Sequence, residues 1–91
     1  MTFSGQAARS NLYTNKLFTG SSSYKIQMSN SYSTQLKVEL YKKGFWYDSL
    51  VTTYYVTPGY TRYGYPSGLD HSADYYLLFY APSNFSGYVE Y

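Results

Sequence analysis

Apolar and polar residues alternate along much of the chain. Residues 24–29 read Tyr-Lys-Ile-Gln-Met-Ser, and residues 36–41 read Leu-Lys-Val-Glu-Leu-Tyr. A period of two is typical of a β-strand that has one face toward a core and the other toward water. No segment shows the 3.6-residue period of an amphipathic helix, so we expect no long helix.

Turn residues divide the chain into short segments. Lys42-Lys43-Gly44 ends one strand, and Pro58-Gly59 is the pair expected in a type II turn, with glycine at positive φ. The other predicted strands are 12–18, 45–56 (one long bent strand or two short ones, broken near Asp48-Ser49), 60–65, 73–80 and 85–91. Loops are expected over 19–22, 66–72 and 81–84.

Seven or eight short strands predict an all-β fold, a single antiparallel β-sandwich, with a small β-barrel as the alternative. Ninety-one residues make one domain. We expect residues 1–10 to form a flexible N-terminal lead, although Phe3 has the chemistry to dock. Residues 11–91 should form the sandwich.

The choice of strand face gives an expected core. In 73–80, one of the two faces would bury Asp74 without a partner, which is costly, so Tyr75 and Leu77 should point inward and Leu78 outward. The inward faces of 49–56 and 85–91 are expected to carry Leu50, Thr52, Tyr54 and Val56, and Phe85, Val89 and Tyr91. The expected core comprises Ile26, Leu36, Val38, Leu40, Tyr75, Leu77, Phe79, Phe85 and Val89.

Tyrosine dominates the composition, with 15 residues, and cysteine is absent. A tyrosine ring favours sites that are apolar on one side and wet on the other. Adjacent pairs such as Tyr54-Tyr55 and Tyr75-Tyr76 cannot both face a core, because a strand alternates its faces. Cross-strand aromatic pairs also stabilise sheets, by about 0.2–1 kcal/mol each, which explains any single tyrosine. The outward and loop tyrosines are nevertheless the candidate binding residues: Tyr55, Tyr60, Tyr63, Tyr65, Tyr76, Tyr80 and Tyr88.

Charge and hydropathy exclude several function classes. Seven Lys and Arg against five Asp and Glu give a net charge of +2, too small and too scattered for a nucleic-acid-binding surface. No run approaches the roughly 18 apolar residues of a membrane span. The absence of cysteine excludes a disulfide framework, thiolate metal sites and thiol nucleophiles.

Residues with catalytic or metal-binding chemistry are few. His71 is the only histidine, and Asp70-His71-Ser72 is not a catalytic triad because the side chains of neighbouring residues diverge. Asp70 and Asp74 have the oxygens that calcium prefers, but their spacing is not that of an EF-hand. We therefore predict no catalytic residue, no metal and no cofactor. Trp46 is either a core anchor or an exposed ring that stacks on a sugar.

Most of the chain resembles small secreted β-sandwich modules of bacteria, of the immunoglobulin-like and pre-peptidase C-terminal type. The resemblance covers roughly residues 23–91. It rests on the turn Val56-Thr57-Pro58-Gly59, the strand Asp74-Tyr75-Tyr76-Leu77 and the closing strand Phe85-Ser86-Gly87-Tyr88-Val89. It implies an accessory domain for adhesion or binding and supplies no site residues.

Three function classes remain open, and we favour a non-enzymatic protein-interaction module of adhesin, inhibitor or immunity type. Tyrosine gives such a surface large contact area at low conformational cost. The second class binds a carbohydrate or cell-envelope polymer, and the third is a structural subunit that self-associates through its strand edges. The N-terminus does not look like a signal peptide, and we expect a mature secreted, extracellular domain, with a cytoplasmic location as the alternative.

Overall fold

The computed structural model describes residues 1–14 and 16–91, which form eight β-strands. Among these residues there is no helix long and apolar enough to cross a membrane. The strands are β1 (Thr2–Ala7), β2 (Leu12–Tyr13), β3 (Lys25–Asn30), β4 (Leu36–Lys42), β5 (Ser49–Val56), β6 (Thr61–Gly64), β7 (Tyr75–Phe79) and β8 (Ser83–Glu90).

The strands form two antiparallel sheets that pack face to face. Sheet A has the order β1-β8-β3-β6, and sheet B has the order β2-β7-β4-β5. Neither sheet closes into a barrel, so the predicted antiparallel β-sandwich is confirmed. The predicted turn at Pro58-Gly59 is also present, since Gly59 has a φ of 77° and the Tyr60 N–H donates to the Thr57 carbonyl at 3.0 Å.

The core lies between the sheets and consists of the inward-facing residues of the strands, which are every second residue along each strand. All nine residues of the expected core are buried, as are Tyr54 and Val56. Phe18, Tyr24 and Met28 complete the same cluster, and the rings of Phe79 and Phe85 stack across it with centroids 3.8 Å apart. The alternation in β3, β4 and β7 therefore identified the core correctly.

The N-terminus differs from the prediction, because Thr2–Ala7 is a strand that pairs with β8 along its whole length. Its inward residues are Phe3, Gly5 and Ala7, and the Phe3 ring packs 5.1 Å from that of Phe79. Two of these three residues are too small to register as an apolar face, which is why the alternation was missed. The sandwich therefore begins at Thr2, and the prediction of a flexible lead over residues 1–10 was wrong.

The start of β5 faces the opposite way from the prediction. A register shift opposite Leu40/Tyr41 pairs Leu40 with Thr52 but Tyr41 with Leu50, so Val51 is an extra residue in the ladder. Such a bulge reverses the faces on either side of it. Leu50 is consequently 52% exposed instead of buried.

Leu78 points outward as expected but is covered, and two further expectations are corrected at strand ends. Leu78 lies on the outer face of sheet B but is buried, because it pairs with Tyr13 on one side and Glu39 on the other. Tyr91 follows the end of β8 and is exposed. The predicted strand 12–18 is reduced to β2 and an isolated bridge between Phe18 and Tyr75, and Asn15 within it lies outside the described residues.

Candidate functional site

Three consecutive aromatic residues protrude from the hairpin between β4 and β5. Phe45, Trp46 and Tyr47 are 90%, 87% and 77% exposed, and we call them the aromatic tip. The interpretation of Trp46 as a core anchor is therefore wrong. The only aromatic ring pair within the tip is an edge-on contact between Phe45 and Trp46, with centroids 4.8 Å apart.

Hydrogen bonds at the base of the hairpin fix how the aromatic tip protrudes. The Gly44 N–H donates to Asp48 Oδ1 at 3.0 Å, and the Tyr76 hydroxyl donates to Asp48 Oδ2. The turn is so tight that a Cβ on Gly44 would lie 1.9 Å from the Tyr47 carbonyl oxygen. The tip is thus a constrained turn, and glycine is required at its start.

A group of tyrosines covers the outer face of sheet B next to the aromatic tip. Tyr41 and Tyr76 stack with centroids 5.5 Å apart and an interplanar angle of 13°, and Tyr13 meets Tyr76 edge-on at 5.5 Å. The hydroxyls of Tyr41 and Tyr80 both donate to Oε1 of Glu39, whose side chain is buried. We call Tyr13, Tyr41, Tyr76 and Tyr80 the tyrosine cluster.

The protonation states of the tyrosine cluster follow from these hydrogen bonds. Burial and the bond to Asp48 raise the pKa of Tyr76 above its ordinary value. The bond to Glu39, assisted by burial, raises the pKa of Tyr80 to about 12. The bond from Tyr76 lowers the pKa of Asp48. At neutral pH Tyr76 and Tyr80 are therefore neutral donors and Asp48 is an ionised acceptor, which holds the rings in place.

The tyrosine cluster lies next to the base of the aromatic tip, because the Tyr76 hydroxyl bonds Asp48, the residue that follows Tyr47. A shallow depression beside the cluster is lined by Tyr13, Thr14, Leu17, Lys43, Asp48 and Tyr76, of which Lys43 and Asp48 flank the hairpin turn that carries the tip. Tyr55 and Leu50 extend the same outer face along β5, and they are 48% and 52% exposed. This surface combines exposed aromatic and aliphatic groups with a few charged atoms.

The seven predicted binding tyrosines do not form one site. Tyr55, Tyr76 and Tyr80 lie on the outer face of sheet B, the last two half-buried. Tyr63 and Tyr88 lie on the outer face of sheet A, on either side of Gln27. Tyr60 and Tyr65 flank β6 at its two ends and are 68% and 67% exposed.

The prediction missed the aromatic tip, because residues 45–47 were assigned to a strand. A signal was present in the sequence, since three aromatic residues in a row cannot all face one core. Tyr13 was missed for another reason, because β2 is too short to show alternation.

Within the described residues, no group of three or more His, Asp and Glu side chains comes together. The Asp70 carboxylate accepts hydrogen bonds from the N–H and hydroxyl of Ser72, and one of its oxygens lies 3.8 Å from Lys42 Nζ. His71 is exposed in the same loop.

The chain matches no protein-family model, no curated protein and no solved structure with which it was compared.

Proposed function

We propose that this protein is a non-enzymatic interaction module that binds a partner protein through the aromatic tip and the tyrosine cluster. The observation that carries the proposal is the near-complete exposure of three adjacent aromatic side chains on a constrained turn. Contiguous exposed apolar groups usually mark an interaction site, and tryptophan and tyrosine are the commonest hot-spot residues of protein interfaces.

The rigidity of the surface supports this proposal. Ordering a flexible side chain on binding costs about 0.5–1.5 kcal/mol, and a surface that is already ordered avoids this cost. Tyr41, Tyr76 and Tyr80 are fixed in advance by their bonds to Glu39 and Asp48. The protein therefore presents a pre-organised aromatic surface.

The shape of the surface indicates what kind of partner it fits. The aromatic tip protrudes, so we infer a partner with a concave site that receives it, as in an inhibitor or immunity protein. An extracellular setting belongs to the same proposal, because the composition and the resemblance to secreted bacterial sandwich modules both favour it.

The proposal is tested by comparing what the wild type and Trp46→Ser bind. Tyr60→Ser is a matched control, since Tyr60 is also an exposed aromatic residue but lies at the β5–β6 turn, outside the proposed surface. Each protein is immobilised, and proteins retained from culture supernatant and cell-surface extract are quantified by mass spectrometry.

We expect at least one protein to bind the wild type and Tyr60→Ser but not Trp46→Ser. With that protein purified, Trp46→Ser should weaken the Kd at least about 30-fold, which corresponds to a hot spot of about 2 kcal/mol. A set of retained proteins that is the same for all three would refute the proposal.

A further inference from the structure

The outer face of sheet A differs in chemistry from that of sheet B. The register of the strands aligns outward side chains in rows that cross all four strands. One row consists of Thr2, Tyr88, Gln27 and Tyr63, and the next consists of Ser4, Ser86, Ser29 and Thr61. We call these two rows the sheet A face.

The two tyrosines of the sheet A face lie on either side of β3. Gln27 Nε2 donates to the Tyr63 hydroxyl at 3.1 Å. Lys25 Nζ lies 5.3 Å from the ring centroid of Tyr63 and 5.8 Å from that of Tyr88. Neighbouring strands are about 4.8 Å apart, so the two tyrosine Cα atoms lie roughly 10 Å apart across the sheet. The sheet A face therefore has two aromatic rings in one row, with the Gln27 amide and the Lys25 ammonium as hydrogen-bond donors between them.

The second row contains four hydroxyl groups, one on each strand of the sheet. Ser29 and Thr61 already share a hydrogen bond of 2.8 Å, and each hydroxyl both donates and accepts. Ser4 and Ser86 are directly opposite each other on β1 and β8 and are exposed. A ligand that crosses the strands would meet a hydroxyl on every one of them.

The sheet A face carries almost no net charge. Lys25 and Glu90 form a pair at 3.8 Å, so their charges offset each other. The other charged residue of these four strands, Arg62, turns to the edge of sheet B, where its Nη1 donates to the Tyr55 carbonyl. An anionic polymer would therefore find little attraction here.

We propose that the sheet A face binds a neutral glycan, an extended polysaccharide chain that lies across the strands. Tyrosine rings pack against the apolar C–H faces of sugars, and the hydroxyls of Ser29 and Thr61 and the amide of Gln27 hydrogen-bond sugar hydroxyls. A protein partner fits this face less well, because serine is depleted from protein interfaces and three of the four residues in the second row are serines.

This site is independent of the proposed protein-binding surface, which lies on the other sheet. We would test it by affinity electrophoresis in gels that contain hydroxyethylcellulose, laminarin or xylan, with dextran sulfate as the anionic comparison. The variants are Tyr63→Ala and Gln27→Ala, and Trp46→Ser and Tyr55→Ala are controls on the other sheet. Circular dichroism and thermal melting establish that each variant is folded.

At least one neutral polysaccharide should retard the wild type and both controls. Tyr63→Ala should reduce the association constant at least tenfold, and Tyr63→Phe, which retains the ring, should keep most of the binding. The inference is overturned if no neutral polysaccharide retards the wild type, if only dextran sulfate does, or if folded Tyr63→Ala binds as the wild type does. None of these results affects the protein-binding proposal, whose test depends on Trp46.

Discussion

Several tyrosine hydroxyls act as attachment points for the loops around the core. The Asp70 N–H donates to the hydroxyl of Tyr75 at 2.9 Å, and the Ser21 N–H donates to that of Tyr24 at 3.3 Å. Both residues are buried, and each hydroxyl meets the backbone of a loop that covers the core. Tyrosine thus fills the core and also satisfies loop backbone groups, which phenylalanine could not do.

The Asn30 side chain likewise bonds loop backbone groups, in the connection from β3 of sheet A to β4 of sheet B. Its side chain is buried, Nδ2 donates to the carbonyls of Thr34 and Val56 at 2.8 and 2.9 Å, and Oδ1 accepts from the Tyr32 N–H at 2.9 Å. We expect Asn30→Ala to lower the free energy of unfolding by about 1–3 kcal/mol, because it leaves buried polar groups without partners.

Urea denaturation measures this effect, and Asn30→Asp is the matched variant. Aspartate retains an acceptor for the Tyr32 N–H but loses both donated bonds, so it should also destabilise the protein. If Asn30→Ala unfolds at the same urea concentration as the wild type, these hydrogen bonds do not stabilise the connection.

The hydrogen bond from Tyr80 to Glu39 predicts a stability change at alkaline pH. Because the folded-state pKa of Tyr80 is about 12 against an ordinary value of 10.0, its contribution is fully present below pH 10. It is then lost as the pH rises from about 10 through about 12. The wild type should lose more unfolding free energy over this range than Tyr80→Phe does.

Ultraviolet absorbance of tyrosinate provides a direct measurement of the same group. The difference between the titrations of the wild type and Tyr80→Phe should have its midpoint near 12. A midpoint near 10 would show that the Tyr80 hydroxyl is not bonded to Glu39 in solution.

At the scale of single strands, β1 packs closely against the core because Gly5 has no side chain. A Cβ on Gly5 would lie 2.6 Å from Phe85 Cζ and 2.9 Å from Leu12 Cδ1, and the Phe85 ring is itself stacked on Phe79. We expect Gly5→Ala to destabilise the protein by about 1–3 kcal/mol through overpacking. Thermal melting of Gly5→Ala and of the neighbouring exposed control Ser4→Ala measures it.

Ser4→Ala should change the stability by no more than about 0.5 kcal/mol, since its side chain points to solvent. Equal melting of Gly5→Ala and the wild type would mean that β1 is not docked on the sandwich. The result would then favour a flexible N-terminus.

Most strands could be predicted because their inward residues are large and regularly spaced. The alternation fails where a local feature overrides it: at Gly5, which has no side chain to signal its face, and at Val51, where the bulge reverses it. The aromatic tip could not be predicted from local sequence, because Phe45, Trp46 and Tyr47 suit a strand as well as a turn. The turn is set by the hydrogen bonds of Asp48 to Gly44 and to the distant Tyr76. The alternation of residues 36–41 puts Glu39 on the outer face of its strand, and only the tyrosines packed over it explain why it is buried there.

At the scale of the whole molecule, the two sheets present different chemistry on opposite sides of a body measuring 36 × 25 × 18 Å. The outer face of sheet B is aromatic and holds its carboxylates in fixed bonds, whereas the sheet A face is rich in hydroxyls and nearly neutral. Both binding proposals require that the exposed rings contribute little to the core between the sheets.

That requirement predicts a difference between surface and core substitutions. The triple variant Trp46→Ser, Tyr55→Ser, Tyr63→Ser removes exposed rings, and each change should cost no more than about 0.5 kcal/mol, so the sum stays near or below about 1.5 kcal/mol if the sites are independent. Leu77→Ala removes a fully buried side chain and should cost about 2–5 kcal/mol.

Thermal melting compares the two proteins, since 1 kcal/mol shifts the Tm of a domain of this size by about 4–8 °C. The triple variant should melt well above Leu77→Ala, which loses a large part of a total stability of about 5–15 kcal/mol. The reverse order would show that the exposed aromatic residues hold the fold together. Their exposure would then need no ligand to explain it, and both binding proposals would lose their main support.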